Sequence, residues 1–311
     1  MSQHKTRGHA SKKKTPYKIG REIGHGATAH VYNGLHRETK MKVALKVIKP
    51  EFVEKCPQRI SREVTIQTSC SHPNVIQMMD FYQRKGSAVM VMERGQIDLF
   101  DYSARHFKDY ELLKKIVRDV ATGLAHIHEQ GFVHRDIKQE NILMCKDPVA
   151  KITDFGLAIS ISEAQNGTQP LAGTREFLPP ECFASKNVRR YPCHGFKFDI
   201  WSLGLLTLIL LARRSKQIGR PLKSEMILAM RLDFKAMARY FDGAAVNFLR
   251  RTLEVDPKKR YSAKDCLKDQ WLRPSPQMSR LVRAPKAIRK RRLKRNSTGR
   301  QTYNVKLGVN K

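Results

Sequence analysis

Val133-His134-Arg135-Asp136-Ile137-Lys138-Gln139-Glu140-Asn141-Ile142-Leu143 decides how this chain reads. Charged and polar side chains stand there among Val133, Ile137, Ile142 and Leu143, and burying such groups is costly unless the fold has a use for them. Asp136, Lys138 and Asn141 are spaced two and three apart. An extended loop would aim all three at one point. A carboxylate there is a base for a hydroxyl proton, an ammonium neutralises a phosphoryl group, and an amide oxygen is a ligand for a hard cation.

Downstream lies Asp154-Phe155-Gly156, after the strand-like Lys151-Ile152-Thr153. A carboxylate at a strand end is a natural cation ligand. Upstream lies Gly24-His25-Gly26-Ala27-Thr28-Ala29-His30-Val31, between two strand-like runs. Gly24 and Gly26 let backbone approach a phosphate with no Cβ in the way. No Gly-Lys-Ser/Thr follows, which excludes a Walker A loop. Then comes Val43-Ala44-Leu45-Lys46. A lysine in an apolar strand must snorkel or pair with an anion, and Glu63, in the following helical stretch, supplies a carboxylate.

The pattern around these motifs changes once. From Tyr17 to about Met92, short β-type runs dominate, interrupted by one helical stretch near Arg59 to Cys70. From Leu112 onward the period is helical: Leu112, Leu113, Ile116, Val117, Val120, Leu124 and Ile127 form one apolar face, with Asp109 as N-cap. The expected fold is α+β and bilobal. A small antiparallel-sheet N-lobe with one main helix covers about 17–92, a hinge about 93–96, and a larger, mainly helical C-lobe about 97–272. Residues 1–16 and 273–311 are expected to be basic, disordered tails.

With 41% hydrophobic residues, the chain is rich enough for a sizeable core. Met1 to Lys14 is polar, without the apolar stretch of a signal peptide. The longest apolar run, Leu203 to Ala212, is about half of the roughly 20 residues a bilayer span needs. It is expected to be a buried helix, and no membrane partner is expected. The six cysteines form neither a C-x-x-C pair nor a zinc pattern, so reduced thiols are expected.

Together these motifs resemble the protein kinase signature set, over about Tyr17 to Leu272. The likeness extends to Gly173-Thr174 and Pro179-Pro180-Glu181 at the end of an activation segment, and to Asp199-Ile200-Trp201-Ser202-Leu203-Gly204 at the start of a central helix. Arg260 is placed like the arginine that pairs with Glu181. The resemblance implies ATP-dependent phosphorylation of protein serine or threonine hydroxyls, with ATP and Mg2+ bound. It makes Asp136 the base and puts Lys138 on the γ-phosphate. Asn141 and Asp154 hold Mg2+, and Lys46 pairs with Glu63. Ile23, Gly24, Gly26, Val31, Ala44 and Leu143 surround the nucleotide. Met92 is the gatekeeper, Glu93 begins the hinge that bonds the base, and Asp98 meets the ribose.

Lys138 after Asp136 and Thr174 after Gly173 match serine/threonine rather than tyrosine kinases. Asp98 and Glu140 resemble positions that receive substrate arginines, which implies a basophilic preference. Arg135 resembles the arginine that binds an activation-segment phosphate; the segment offers Ser160, Ser162 and Thr168, with Thr168 as the choice of acceptor and activation without phosphorylation as the alternative. Gln67 stands where the family carries an apolar residue, and a polar group there is expected to loosen packing behind Phe155.

The net charge is +32, and residues 1–20 and 270–311 carry 19 of the basic residues with no acid. Such blocks attract polyanions, nucleic acid among them. Ile288 to Arg295 reads as a nuclear localisation or polyanion-binding run, so a cytoplasmic or nuclear monomer is expected. Two other classes compete: a pseudokinase scaffold, and a nucleic-acid-binding protein acting through its basic tails.

Overall fold

A computed structural model describes residues 15–106, 109–166, 172–183, 195–215 and 233–274. Thr168 and the basic run 288–295 lie outside them. The described residues up to Leu272 form one compact unit.

Five strands make the N-lobe: β1 (Tyr17–His25), β2 (Ala29–His36), β3 (Lys42–Ile48), β4 (Met78–Arg84) and β5 (Ser87–Glu93). They form one antiparallel sheet in the order β1-β2-β3-β5-β4. Side chains alternate across a strand, and the sequence uses both faces. Val43, Leu45, Val89 and Val91 cluster with Tyr17 on one face. Ile48, Ala88 and Met90 cluster with Ile60 on the other. Ile60 belongs to α2 (Pro57–Ser69), which packs against β4. The single helix expected here is preceded by a second, α1 (Pro50–Lys55). Its six residues are too short for a periodic signal, and Pro50 starts it.

Glu93 still pairs with Val43 across β3 and β5, so the crossing between lobes is 94–96 rather than 93–96. Beyond it, β6 (Ile97–Asp98), β8 (Ile142–Met144) and β9 (Ala150–Ile152) form a three-stranded sheet. Gly95 presses on this sheet, because a Cβ there would lie 2.8 Å from Leu143 Cβ.

The C-lobe core lies between α4 (Tyr110–Glu129) and α6 (Lys197–Ser215), with α3 (Leu99–His106) above them. The α4 face is the one the periodicity marked, and Asp109 caps it through the amides of Glu111 and Leu112. Helix α6 is buried along almost its whole length, from Phe198 to Ala212, as an apolar helix in a core must be. Among the described residues no helix is long and apolar enough to cross a membrane. Two-residue strands β7 (Phe132–Val133) and β10 (Ile159–Ser160) pair next to the decisive loop, and α5 (Ile161–Gln165) follows. Helices α7 (Phe234–Met237), α8 (Gly243–Thr252) and α9 (Ala263–Lys268) complete the described C-lobe.

Candidate active site

A cleft of about 730 Å3 opens between the glycine-rich turn, α2, the 94–96 crossing and the loop at Asp136. It is lined by Ile23, Gly24, Gly26, Val31, Ala44, Lys46, Glu63, Met92, Glu93, Asp98, Asp136, Asn141, Leu143 and Asp154. These sequence-marked residues, spread over more than a hundred positions, thus meet in one place with Glu140.

The upper wall is charged. Lys46 Nζ lies 2.6 Å from Glu63 Oε1 and 2.8 Å from Asp154 Oδ1. Burial alone would favour the neutral amine, but the two carboxylates outweigh it and hold Lys46 above the ordinary lysine range. The same ammonium holds the Asp154 carboxyl down to about 2, so Asp154 is ionised throughout the neutral range.

The lower wall is the decisive loop. Asn141 Nδ2 donates to Asp136 Oδ2 at 2.8 Å and to the Asp136 carbonyl at 2.9 Å. Lys138 Nζ lies 3.1 Å from Asp136 Oδ2. Thr174 donates its hydroxyl to Asp136 Oδ1 at 2.7 Å and accepts from Lys138 at 2.7 Å. The three residues do converge, but Gln139–Asn141 is a 3-10 turn rather than extended chain. The turn lets Asn141 reach back five residues to Asp136.

Two left-handed residues shape this floor, Arg135 at φ 67° and Asp154 at φ 65°. Such backbone costs about 1–3 kcal/mol per residue and persists only where surroundings enforce it. At Arg135 the enforcing group is Asp199, fully buried at the start of α6. Its carboxylate accepts the amides of His134 and Arg135 at 2.9 and 2.8 Å, and His128 Nε2 lies 2.9 Å away. Burial pushes the Asp199 pKa up, yet the His128 imidazole and the His134 amide hold it below the carboxylate range. The Asp136 amide donates to His134 Nδ1 at 3.3 Å, which leaves Nε2 to donate to the Thr153 carbonyl at 3.1 Å. Gly173 passes so close to this loop that a Cβ would lie 2.6 Å from the Arg135 carbonyl, and its φ of 125° suits glycine alone.

Several placements differ from expectation. The Glu93 amide donates to the Gln77 carbonyl at 2.8 Å, and its carboxylate meets Lys151 at 2.7 Å. Its N–H is thus used before the crossing, and Glu93 still lines the cleft as expected. Gln67 touches Ile76 and Met92 through Nε2, at 3.2 and 3.5 Å, while Phe155 packs edge-on to His134. The polar group sits behind the gatekeeper position, and its Oε1 has no partner among the described residues. Arg135 gives Nε to the Leu157 carbonyl at 2.8 Å. Glu181 and Arg260, by contrast, pair as expected, joined by two bonds at 2.8 and 2.7 Å.

Arg59, Ile76, Asp101 and Thr153 also line the cleft, and no sequence signal marked them for it. Arg59 donates to the Gly156 carbonyl at 3.1 Å. A solvated helix face and a site residue look alike until the helix is docked. The arrangement can hold a polyanion against Lys46 and Lys138, and can present ionised Asp154 and the Asn141 amide oxygen to a divalent cation. The Asn141 Nδ2 is committed to Asp136, which leaves that oxygen as the group turned to other use.

Residues 17–272 match the family model of the protein kinase domain. Among curated relatives, the hormonally up-regulated neu tumor-associated kinase homolog of Xenopus tropicalis is 31% identical over 267 residues, which are 82% of this chain and 37% of that protein. The serine/threonine-protein kinase MST20 of Pyricularia oryzae is 31% identical over 285 residues, 89% of this chain and 30% of that one. A probable myosin light chain kinase of Dictyostelium discoideum is 31% identical over 270 residues, 84% and 75% of the two chains. The chain belongs to the protein kinase family, in its eukaryotic serine/threonine class. It spans about a third of the length of the first two relatives.

Proposed function

We propose that the chain transfers the γ-phosphoryl group of ATP to serine or threonine hydroxyls of protein substrates. One observation carries this reading: the Asp136 carboxylate shares a single cleft with the Lys46–Glu63–Asp154 cluster. Asp136 accepts the proton of the incoming hydroxyl. Thr174 and Asn141 orient its two oxygens, one each. Lys138, between Asp136 and Thr174, is placed to follow charge onto the transferred group. Lys46, kept cationic by two carboxylates, holds the α- and β-phosphates. Asp154 and Asn141 fit Mg2+, a hard cation that prefers oxygen ligands and when bound neutralises phosphate charge.

For specificity, Asp98, Asp101 and Glu140 line the same cleft and favour basic residues beside the acceptor. A peptide-library assay should select arginine or lysine flanks, and selection of acidic flanks would reverse this. The basic run 288–295 is proposed to direct nuclear entry, so a fluorescent fusion without it should leave the nucleus. Equal distributions with and without the run would remove that idea.

The main experiment is transfer of label from γ-labelled ATP with Mg2+. Wild type should phosphorylate general protein substrates. Asp136→Asn should lose about 10²–10⁴-fold, the usual worth of a general base. Nucleotide binding with equal, negligible transfer in both would make the chain a pseudokinase.

A further inference from the structure

Helix α2 carries Glu63, and Glu63 holds Lys46 in place. Whatever fixes α2 therefore governs whether the charged wall is assembled. Outside the cleft, α2 is tied to the chain that follows Asp154. Arg62 Nη2 lies 3.1 Å from Glu163 Oε1. Glu163 is in turn anchored within α5. The Ser160 amide and hydroxyl both donate to its Oε2 at 3.0 Å, and its own amide donates back to Ser160 Oγ at 3.1 Å. This capping box stands on β10, which pairs with β7 at the edge of the catalytic loop, and Ile161 N donates to the Gly131 carbonyl at 2.8 Å. One carboxylate thus splits its oxygens, Oε2 closing α5 and Oε1 reaching α2. Burial works against its charge, but Ser160, Arg62 and Arg135 hold the carboxyl below the usual range.

We propose that Glu163 is a positioning residue. Through Arg62 it fixes α2 where Glu63 reaches Lys46, using a carboxylate the chain always carries instead of an added phosphate. The proposal rests on the kinase reading of the cleft. The two side chains are 36% and 30% exposed, so the pair is a modest bias. About fivefold in a two-position equilibrium, or ~1 kcal/mol, is what such a pair supplies. That is enough to tilt a helix between positions and too little to decide folding.

The test uses the full chain after phosphatase treatment, as wild type, Arg62→Gln, Arg62→Lys, Glu163→Gln and the Arg62→Gln/Glu163→Gln double variant. Two readouts are taken: kcat and KM on a peptide substrate, and amide hydrogen exchange over residues 57–69. Each neutralised single variant should lower kcat about three- to fivefold at unchanged KM and should speed exchange in α2. The double variant should be no worse than either single, and Arg62→Lys should restore most of the rate. Additive losses in the double variant, or singles with unchanged kcat and exchange, overturn the proposal. An inactive wild type whose α2 exchange still shows the coupled response would overturn the kinase reading and uphold the tie.

Discussion

Asp136, Lys46 and Asp154 were legible in the sequence through their settings: Lys46 is a charge inside an apolar strand, Asp136 stands with other polar groups among apolar residues, and Asp154 is a carboxylate at a strand end. The bonds of Asp199 to the loop amides and the Arg62–Glu163 pair were not, because they depend on which element docks beside them. Gln67 falls between. Its helix position marked it as odd, yet only the structure shows that it sits behind Met92 with Oε1 unpartnered among the described residues. An unpaired buried carbonyl costs about 1–3 kcal/mol, and the two Nε2 contacts, at 3.2 and 3.5 Å, are long. Gln67→Met keeps the volume and removes the orphan oxygen. The same change strands the buried Ile76 carbonyl that Nε2 serves, so the two effects offset and stability, measured by denaturant unfolding, should stay within about 1 kcal/mol of wild type. A larger drop would mean that Oε1 is satisfied in solution. Asp154 supplies a prediction in pH. Its folded value, about 2, lies below the ordinary 3.8, so its pairing with Lys46 stabilises the fold fully above that ordinary value. This contribution fades as pH falls through about 2. The stability gap between wild type and Asp154→Asn should therefore be flat from pH 8 to pH 5 and close only in stronger acid.

Elements were legible in proportion to their length. The twenty residues of α4 repeat their apolar face often enough to read, and the Asp109 cap announces their start. The six residues of α1, the two-residue strands β7 and β10, and the 3-10 turn at Gln139–Asn141 are set by tertiary pairing and carry no period. Removing the cap with Asp109→Ala should cost about 1 kcal/mol, seen as a lower unfolding midpoint. The Glu181–Arg260 joint ties the Pro180-Glu181 turn to the chain before α9. Arg260 is 1% exposed, stacks over Trp201, and places all five N–H donors, on Glu181 twice and on the carbonyls of Lys197, Glu254 and Val255. Glu181→Ala leaves that cation buried without its counter-ion, so it should destabilise by about 3–5 kcal/mol, against almost nothing for a surface pair. A loss under about 1 kcal/mol would mean that water reaches the guanidinium.

At the scale of the whole molecule, the sequence showed two lobes and a change of period between them, and the structure supplies what joins them: Lys46 on the sheet, Glu63 on α2 and Asp154 beyond β9, closed into one cluster. Burial also sorts the thiols. Cys70 and Cys145 are pushed up to about 12 and about 11 by burial, while Cys56 is half-buried. Brief alkylation at pH 8 should therefore label Cys56 well before Cys70 or Cys145 in native protein, and all three alike once unfolded. Phosphoryl transfer here requires this cleft to hold a magnesium nucleotide between the lobes. A crystal structure with Mg2+ and a non-hydrolysable ATP analogue tests that most directly. It should show phosphate oxygens at Lys46 Nζ, the metal on Asp154 and Asn141, and the terminal phosphate facing Asp136 and Lys138. Nucleotide bound elsewhere, or in this cleft with its phosphates turned away from Lys46 and Asp154, would contradict the account.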